Sequence, residues 1–372
     1  MARRNPPLYS DRRPARHPTI AAHRSAVATP PRPARAPVAR GRRLMAREGP
    51  RPSYDPAGPD QALRAALQDL RTGRWMAMRA LLADTAPGWQ WTQRTQVLAA
   101  AAAGTDVVRA WLVEDPGSVH AAVMHARVGV ERALRAQREK HLRTHELWIE
   151  AWDAAQSATR IAPRDPVPWV CLLALAQLDP EQRWEEHREA APEPMLPPGP
   201  WGLLAEAGRR DPYNREAHHR MLQFLYARGG SGRLAEAAGY AQWAAGRAPA
   251  GSALHVLPLY VRVERYRRDS GHDAALDLHW VAEDAAREAE RALRSWFEQT
   301  HRAERSLLDL NHLAHALWGS LQFPDAARVF DAIGPYFTPP PWMYRTPDRG
   351  RAVEVFTQAR ERCRAAADGS RP

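Results

Sequence analysis

Residues 144–176 read THELWIEAWDAAQSATRIAPRDPVPWVCLLALA, and residues 233–249 read RLAEAAGYAQWAAGRAP. In the first stretch Ala151, Ala155, Ala158 and Pro163 stand 4, 3 and 5 residues apart. Ala237, Ala241, Ala244 and Pro249 repeat those steps in the second. Steps of three and four place side chains on one stripe of an α-helix. Alanine on that stripe lets a second helix come close, and a proline beyond it marks where the helix has stopped. A third copy, Ala326, Phe330 and Ile333, keeps the first two steps and has Thr338 at the proline's place. Asp115-Pro116, Asp165-Pro166 and Asp211-Pro212 each precede an apolar helical run. Asp suits the N-cap and Pro the first turn. The expected fold class is therefore all-α, built from antiparallel helix pairs.

Working outward, Trp169, Leu172, Leu173 and Ala176 follow Pro163 in a Trp-x-x-Leu pattern, and Leu310, Leu313, Ala314 and Leu317 precede Ala326. With the alanine and proline steps, these positions resemble the tetratricopeptide-like helical repeat superfamily, in a divergent form, over roughly 140–335, with 60–135 continuing it. The Asp-Pro steps are 50 and 46 residues, longer than that family's repeat of about 34, and Leu173 replaces its glycine. The array is thus expected to be irregular. The resemblance implies an α-solenoid with an inner groove that takes a peptide or helix from a partner protein. It also implies bacterial relatives of undefined role.

The remaining pattern supports helices near 60–71, 74–84, 91–103, 105–114, 118–138, 142–161, 166–178, 201–210, 213–228, 233–247, 252–268, 273–300, 303–320, 325–334 and 348–366. Residues 273–300 contain no Gly or Pro, and Ala275, Leu278, Ala282, Ala285, Ala289, Ala292 and Trp296 form one stripe of a single helix. That stripe reads as intramolecular packing ahead of a dimer seam. Two Pro-rich stretches interrupt the pattern. Residues 179–200 read as a long surface loop or lid, and 335–347 as an aromatic strap on the body.

Charge is unevenly placed. Residues 1–53 hold 13 Arg and two acids, Asp11 and Glu48, a balance of 13 − 2 = +11. The other 319 residues carry 40 bases and 40 acids, so a folded body over 54–372 is near neutral. The first 53 residues are expected to be a disordered Arg/Pro-rich tail, with Met45 as an alternative start. Nucleic acid could attach only through that tail, where Tyr9 alone offers base stacking.

Single residue types exclude several chemistries. Lys140 is the only lysine and has no glycine beside it, which excludes a P-loop and a pyridoxal-phosphate Schiff base. Cys171 and Cys363 make neither a disulfide framework nor a Cys-x-x-Cys zinc site. Gly229-Gly230-Ser231-Gly232 follows a helix rather than a strand, and no Gly-x-Ser-x-Gly elbow occurs. No apolar run reaches 18 residues. No cofactor or metal and a cytoplasmic location are the expectations.

Two polar clusters remain. His141, His145 and Glu146 have spacing that could begin a metal site, but the surrounding charge reads as a solvated face. Arg215-Glu216-Ala217-His218-His219-Arg220 is the densest polar cluster on any helix. In repeat register the resemblance places His219 and Tyr226 in the inner groove, with Asn311 and His315 at matching positions. Arg215 or Arg220 could clasp a peptide carboxylate bidentately. The expected partner-binding set is therefore Arg215, His219, Arg220, Tyr226, Asn311 and His315. An enzyme reading would instead make His218 or His219 a general base beside Glu216. Adjacent helical side chains diverge by about 100°, which opposes their joint use. Trp201 and Trp342 adjoin the Pro-rich stretches and read as core anchors before contact sites.

Overall fold

The computed structural model describes residues 51–228, 232–269 and 274–369. Contacts divide the chain after Glu48. The tail expectation for 1–50 and the Met45 start lie outside the described residues, as does most of the Gly229–Gly232 turn.

Among the described residues the body is all-helical, with no strands beyond two isolated bridges. The helices are α1 (Gln61–Arg71), α2 (Met76–Ala83), α3 (Trp89–Ala102), α4 (Val107–Glu114), α5 (Val119–Arg138), α6 (Thr144–Ile161), α7 (Val167–Leu175), α8 (Trp201–Arg210) and α9 (Arg215–Ala227). They continue as α10 (Arg233–Arg247), α11 (Leu257–Arg268), α12 (Ala274–Val281), α13 (Glu283–Ala292), α14 (Leu307–Gly319), α15 (Phe323–Ile333), α16 (Pro339–Trp342) and α17 (Ala352–Gly369).

The alanine stripes are buried, as their three- and four-residue spacing requires. Ala151, Ala155 and Ala158 are fully buried, as are Ala237, Ala241 and Phe330. Opposite Ala151, Gly129 on α5 has no side chain; a Cβ there would stand 3.2 Å from the Ala151 Cα. That close approach joins α5 to α6. The helices α1, α3, α5, α7 and α9 pack in succession on one another, while α2, α6, α8 and α10 pack beside them. Side-chain caps are made by Asp60, Ser118 and Asn214, which accept from the backbone N–H of Leu63, Ala121 and Ala217. The Asp-Pro steps do not cap as expected: Asp115 and Asp211 end α4 and α8, a short turn before the next helix, and Asp165 accepts from the Val167 N–H just ahead of α7.

The continuous helix expected over 273–300 is broken. Ala282 is extended (φ −62°, ψ 145°), which separates α12 from α13, and Leu293–Phe297 closes as a π turn. The break rotates the stripe, so Leu278 is exposed while Ala285, Ala289, Ala292 and Trp296 are buried. Ala289, Ala292 and Trp296 lie in an intramolecular core.

Apolar side chains form two cores, one spanning Ala57 to Val261 and one spanning Val256 to Cys363. The second centres on α14, packed by α11, α13, α15 and α16. The strap over 335–347 does pack on the body: Trp342 is fully buried against His315, Phe330 and Phe356. The 179–200 stretch is also anchored. Asp179 accepts from the backbone N–H of Arg183 and Trp184 and bonds the His187 ring at 2.9 Å, and the Trp184 ring packs at a tilt against Trp148 and Trp152.

The two ends of the array meet. Ser53 donates its N–H to the Pro335 carbonyl (2.9 Å) and accepts from the Phe337 N–H (3.1 Å). Arg64 on α1 adds a bond to the Tyr336 hydroxyl at 3.1 Å. Ser53 therefore belongs to the body rather than to the Arg-rich tail.

Candidate functional site

Closure of the array leaves a cavity of about 1120 Å³. Its walls come from the segment 54–56, α3, Glu131 of α5, the start of α9, residues 249–253, the start of α14, and Thr338 to Pro340. Ligand pockets usually enclose roughly 300–1,000 Å³, so this one is at the upper end. A helix with its side chains fills a cylinder 10–12 Å across at 1.5 Å per residue, about 140 Å³ per residue. The cavity volume therefore corresponds to about eight residues.

The α9 start is built by Asp211-Pro212-Tyr213-Asn214. Tyr213 adopts a left-handed backbone (φ 64°), an unfavourable conformation for a bulky residue. The tight turn sets Tyr213 in the cavity lining, 44% exposed. Asn214 then caps α9, and the first two turns deliver Arg215, Glu216 and Arg220.

Glu216 is 3% exposed, and its Oε1 accepts from Arg127 (2.6 Å) and from Arg220 (3.0 Å). Arg127, on α5, also donates to the Thr92 carbonyl of α3 at 3.2 Å. One guanidinium thus ties α3, α5 and α9 together. Burial pulls the Glu216 carboxyl upward, but the two guanidiniums more than offset this and hold it below the usual range. Glu216 Oε2 has no hydrogen-bond partner. Arg220 reaches Glu131 at 3.4 Å.

Arg215 gives its fork to Asp309 of α14: Nε to Oδ2 at 2.5 Å and Nη2 to Oδ1 at 2.6 Å. Asp309 has no exposure, and the Tyr260 hydroxyl donates to it at 2.6 Å. Tyr260 stacks on His312, with ring centres 3.7 Å apart, and meets His219 edge-on at 4.4 Å. This polar bridge crosses the boundary between the two apolar cores.

Of the six expected binding residues, only Arg215 and Arg220 line the cavity. Neither offers a free fork for a carboxylate, because Asp309 and Glu216 already occupy them. Burial, with Arg215 nearby, drives the His219 imidazole well below its ordinary pKa. Its Nε2 is 3.8 Å from Asp309, too far to bond, so the neutral ring makes no ion pair there. Tyr226 lies half-buried with its hydroxyl unpartnered, and burial pushes the phenol up. Asn311 is fully buried; its side-chain oxygen accepts from Trp342 Nε1 at 2.9 Å. His315 is 1% exposed and accepts from Arg345 Nε at 2.8 Å. Asn311 and His315 thus hold the strap instead of facing an open groove.

The acid–base arrangement considered for Glu216, His218 and His219 is not assembled. His218 turns to the Tyr240 hydroxyl at 2.7 Å, and burial lowers its pKa to about 4. His219 turns to Tyr260, and neither ring lines the cavity. His141 and Glu146 are exposed and bond Arg143 locally, as a solvated face would. Burial pushes the Cys171 thiol up to about 12. Among the described residues no single helix is long and apolar enough to cross a membrane.

The sequence did not single out Arg127, Glu131, Glu304 or Asp309, and it marked Asp211 only as part of a helix start. For Asp309 a signal existed. Asp309, His312 and His315 recur every third residue within a helix whose other residues, Asn311 apart, are apolar or glycine, which puts polar groups on a buried face. For the cavity acids no such signal exists, because α5, α9 and the 304 turn are far apart in sequence.

No family model, curated protein or solved structure matches the chain.

Proposed function

We propose that the chain is a binding protein that takes a short segment of a partner protein into the cavity between α3 and the start of α9. The observation that carries this reading is the cavity's size, about eight residues, in a wall whose two arginines are already paired within the protein. Arg215, Arg220 and Glu216 hold the walls in place, and neutral and aromatic side chains, Thr92, Gln93, Gln96, Trp89 and Tyr213, make up much of the remaining lining beside Asp211 and Glu304. A single small side chain would leave most of this volume empty. The lining brings no histidine or cysteine to it, so binding explains the site with fewer demands than catalysis.

The test fills the cavity. Ala100 and Ala101 are exposed on α3 and line it, so Ala100→Trp/Ala101→Trp adds bulk without disturbing the core. Random octapeptides are selected on the full chain and then measured on both proteins. The expected result is enriched peptides that bind the wild type and weaken at least tenfold on the filled variant. Failure to enrich any peptide, or equal binding by the filled variant, would overturn the reading.

A further inference from the structure

The lining carries five carboxylates, Asp55, Glu131, Asp211, Glu216 and Glu304, against two guanidiniums, Arg215 and Arg220: 2 − 5 = −3. The ion-pair partners set behind the wall are Arg64, Arg127 and Asp309. Including them gives four bases against six acids, 4 − 6 = −2. The surrounding body is neutral, so the excess belongs to the cavity. Among the described residues Asp211 has a side-chain bond from Asn214 (2.6 Å) but no cation, and Glu304 is exposed without a cation. The second observation is independent of this count. Glu216, almost wholly buried in the wall, keeps Oε2 without any donor although two guanidiniums crowd its other oxygen. A buried carboxylate oxygen lacking a donor is costly, and a ligand N–H is the group that would satisfy it. Low-dielectric walls also focus the field of such an excess onto whatever enters.

Aromatic faces complete the set. Tyr54 is 59% exposed, Tyr213 is 44% exposed and Trp89 is half-buried, and all three line the same cavity. Guanidinium and ammonium groups are attracted to such faces within about 6 Å of the ring centre.

Resting on the cavity-binding reading, we infer that the bound segment is basic, presenting arginine or lysine side chains to Glu131, Glu216 and Glu304 and to the faces of Trp89 and Tyr213. Arginine suits the site better than lysine, because its planar donors can serve a carboxylate and stack on a ring together.

The experiment measures fluorescence anisotropy of three labelled octapeptides, Arg/Ser, Glu/Ser and Gly/Ser, on the full chain, with spermine as a small-molecule competitor. Binding is counted only as the part lost on Ala100→Trp/Ala101→Trp. The expected result is that Arg/Ser binds at least tenfold tighter than the other two and that spermine competes weakly. Glu131→Gln/Glu304→Gln should weaken it roughly four- to twenty-fivefold, about two- to fivefold per charge. Glu146→Gln/Glu150→Gln, the same charge change at two exposed sites outside the cavity, should leave it within about twofold. The single Glu304→Gln change, at an exposed position, serves if the double variant folds poorly. Equal binding of Glu/Ser or Gly/Ser within the cavity overturns the basic preference while leaving the cavity reading intact. An effect of Glu146→Gln/Glu150→Gln equal to that of the cavity pair overturns it too. Spermine displacing Arg/Ser at comparable concentration overturns the choice of a peptide. No cavity-dependent binding of any peptide overturns both readings.

Discussion

Acid should destabilise this protein well above the pH at which carboxylates protonate. His312 and His315 are 3% and 1% exposed, and both are held neutral. Burial lowers the His312 pKa to about 4, helped by Arg215 and opposed by its bond to the Leu308 carbonyl and by Asp309. Burial, with Arg345 nearby, pushes His315 well below its ordinary value. Unfolding returns each imidazole to about 6.5. The folded pKa is thus depressed for a base, and the unfolded state binds more protons as pH falls through 6.5. Stability is full above that value and declines below it until the folded pKa is reached. From pH 6.5 to 5.0 is 1.5 units, about 2 kcal/mol for His312 at 1.36 kcal/mol per unit. His315 adds to this in the same direction, and the sum is a large share of an ordinary total of roughly 5–15 kcal/mol. Half-buried His218 and His219 shift the same way. Asp165 and Asp211, raised by burial, act with the opposite sign, but they are common to both arms of the comparison. The assay is urea unfolding at pH 7.5 and 5.0 for the wild type and for His312→Gln/His315→Gln. Taking the pH difference within each protein removes any change in baseline stability. The wild type should lose at least about 2 kcal/mol more than the variant; equal losses would show that these rings are not neutral in the fold.

Three further outcomes follow from particular contacts. Arg215→Ala should destabilise by about 3–5 kcal/mol, because it strands Asp309 without exposure, and calorimetry should show a large fall in Tm. Gly129→Leu should destabilise by about 1–3 kcal/mol or more by forcing α5 away from Ala151, read by urea unfolding. Tyr213→Gly should raise stability by about 0.5–1 kcal/mol by relieving a left-handed tyrosine, while weakening the cavity's selected peptides. Opposite changes in melting and binding are the result to look for.

The fold was legible because its signals are local. Ala151, Ala155 and Ala158 announce a close-packed stripe within eight residues, and the Asp-Pro pairs mark the breaks between helices although Asp115 and Asp211 close the preceding helix instead of capping the next. The break at Ala282 was not legible. Ala is a strong helix former, and only the packing of Ala289 and Trp296 against α14 sets where α13 must begin. The site was legible only in part. The cluster on α9 was found, but repeat register could not say that Asp309 consumes the Arg215 fork, since that contact joins residues 94 apart. Asn311 and His315 were expected in a groove because their helical positions match His219 and Tyr226. The strap carrying Trp342 and Arg345 covers that face, and a Pro-rich segment gives no periodic signal of where it will lie.

The most direct measurement of the central claim is photo-crosslinking. Benzoylphenylalanine is placed at Ala100, on the cavity wall, or at fully exposed Leu142 as a control, and a selected octapeptide is added. The account predicts a peptide adduct at position 100, suppressed by unlabelled peptide, and none at 142. Adducts of equal yield at both positions, or none at 100 under saturating peptide, would contradict it.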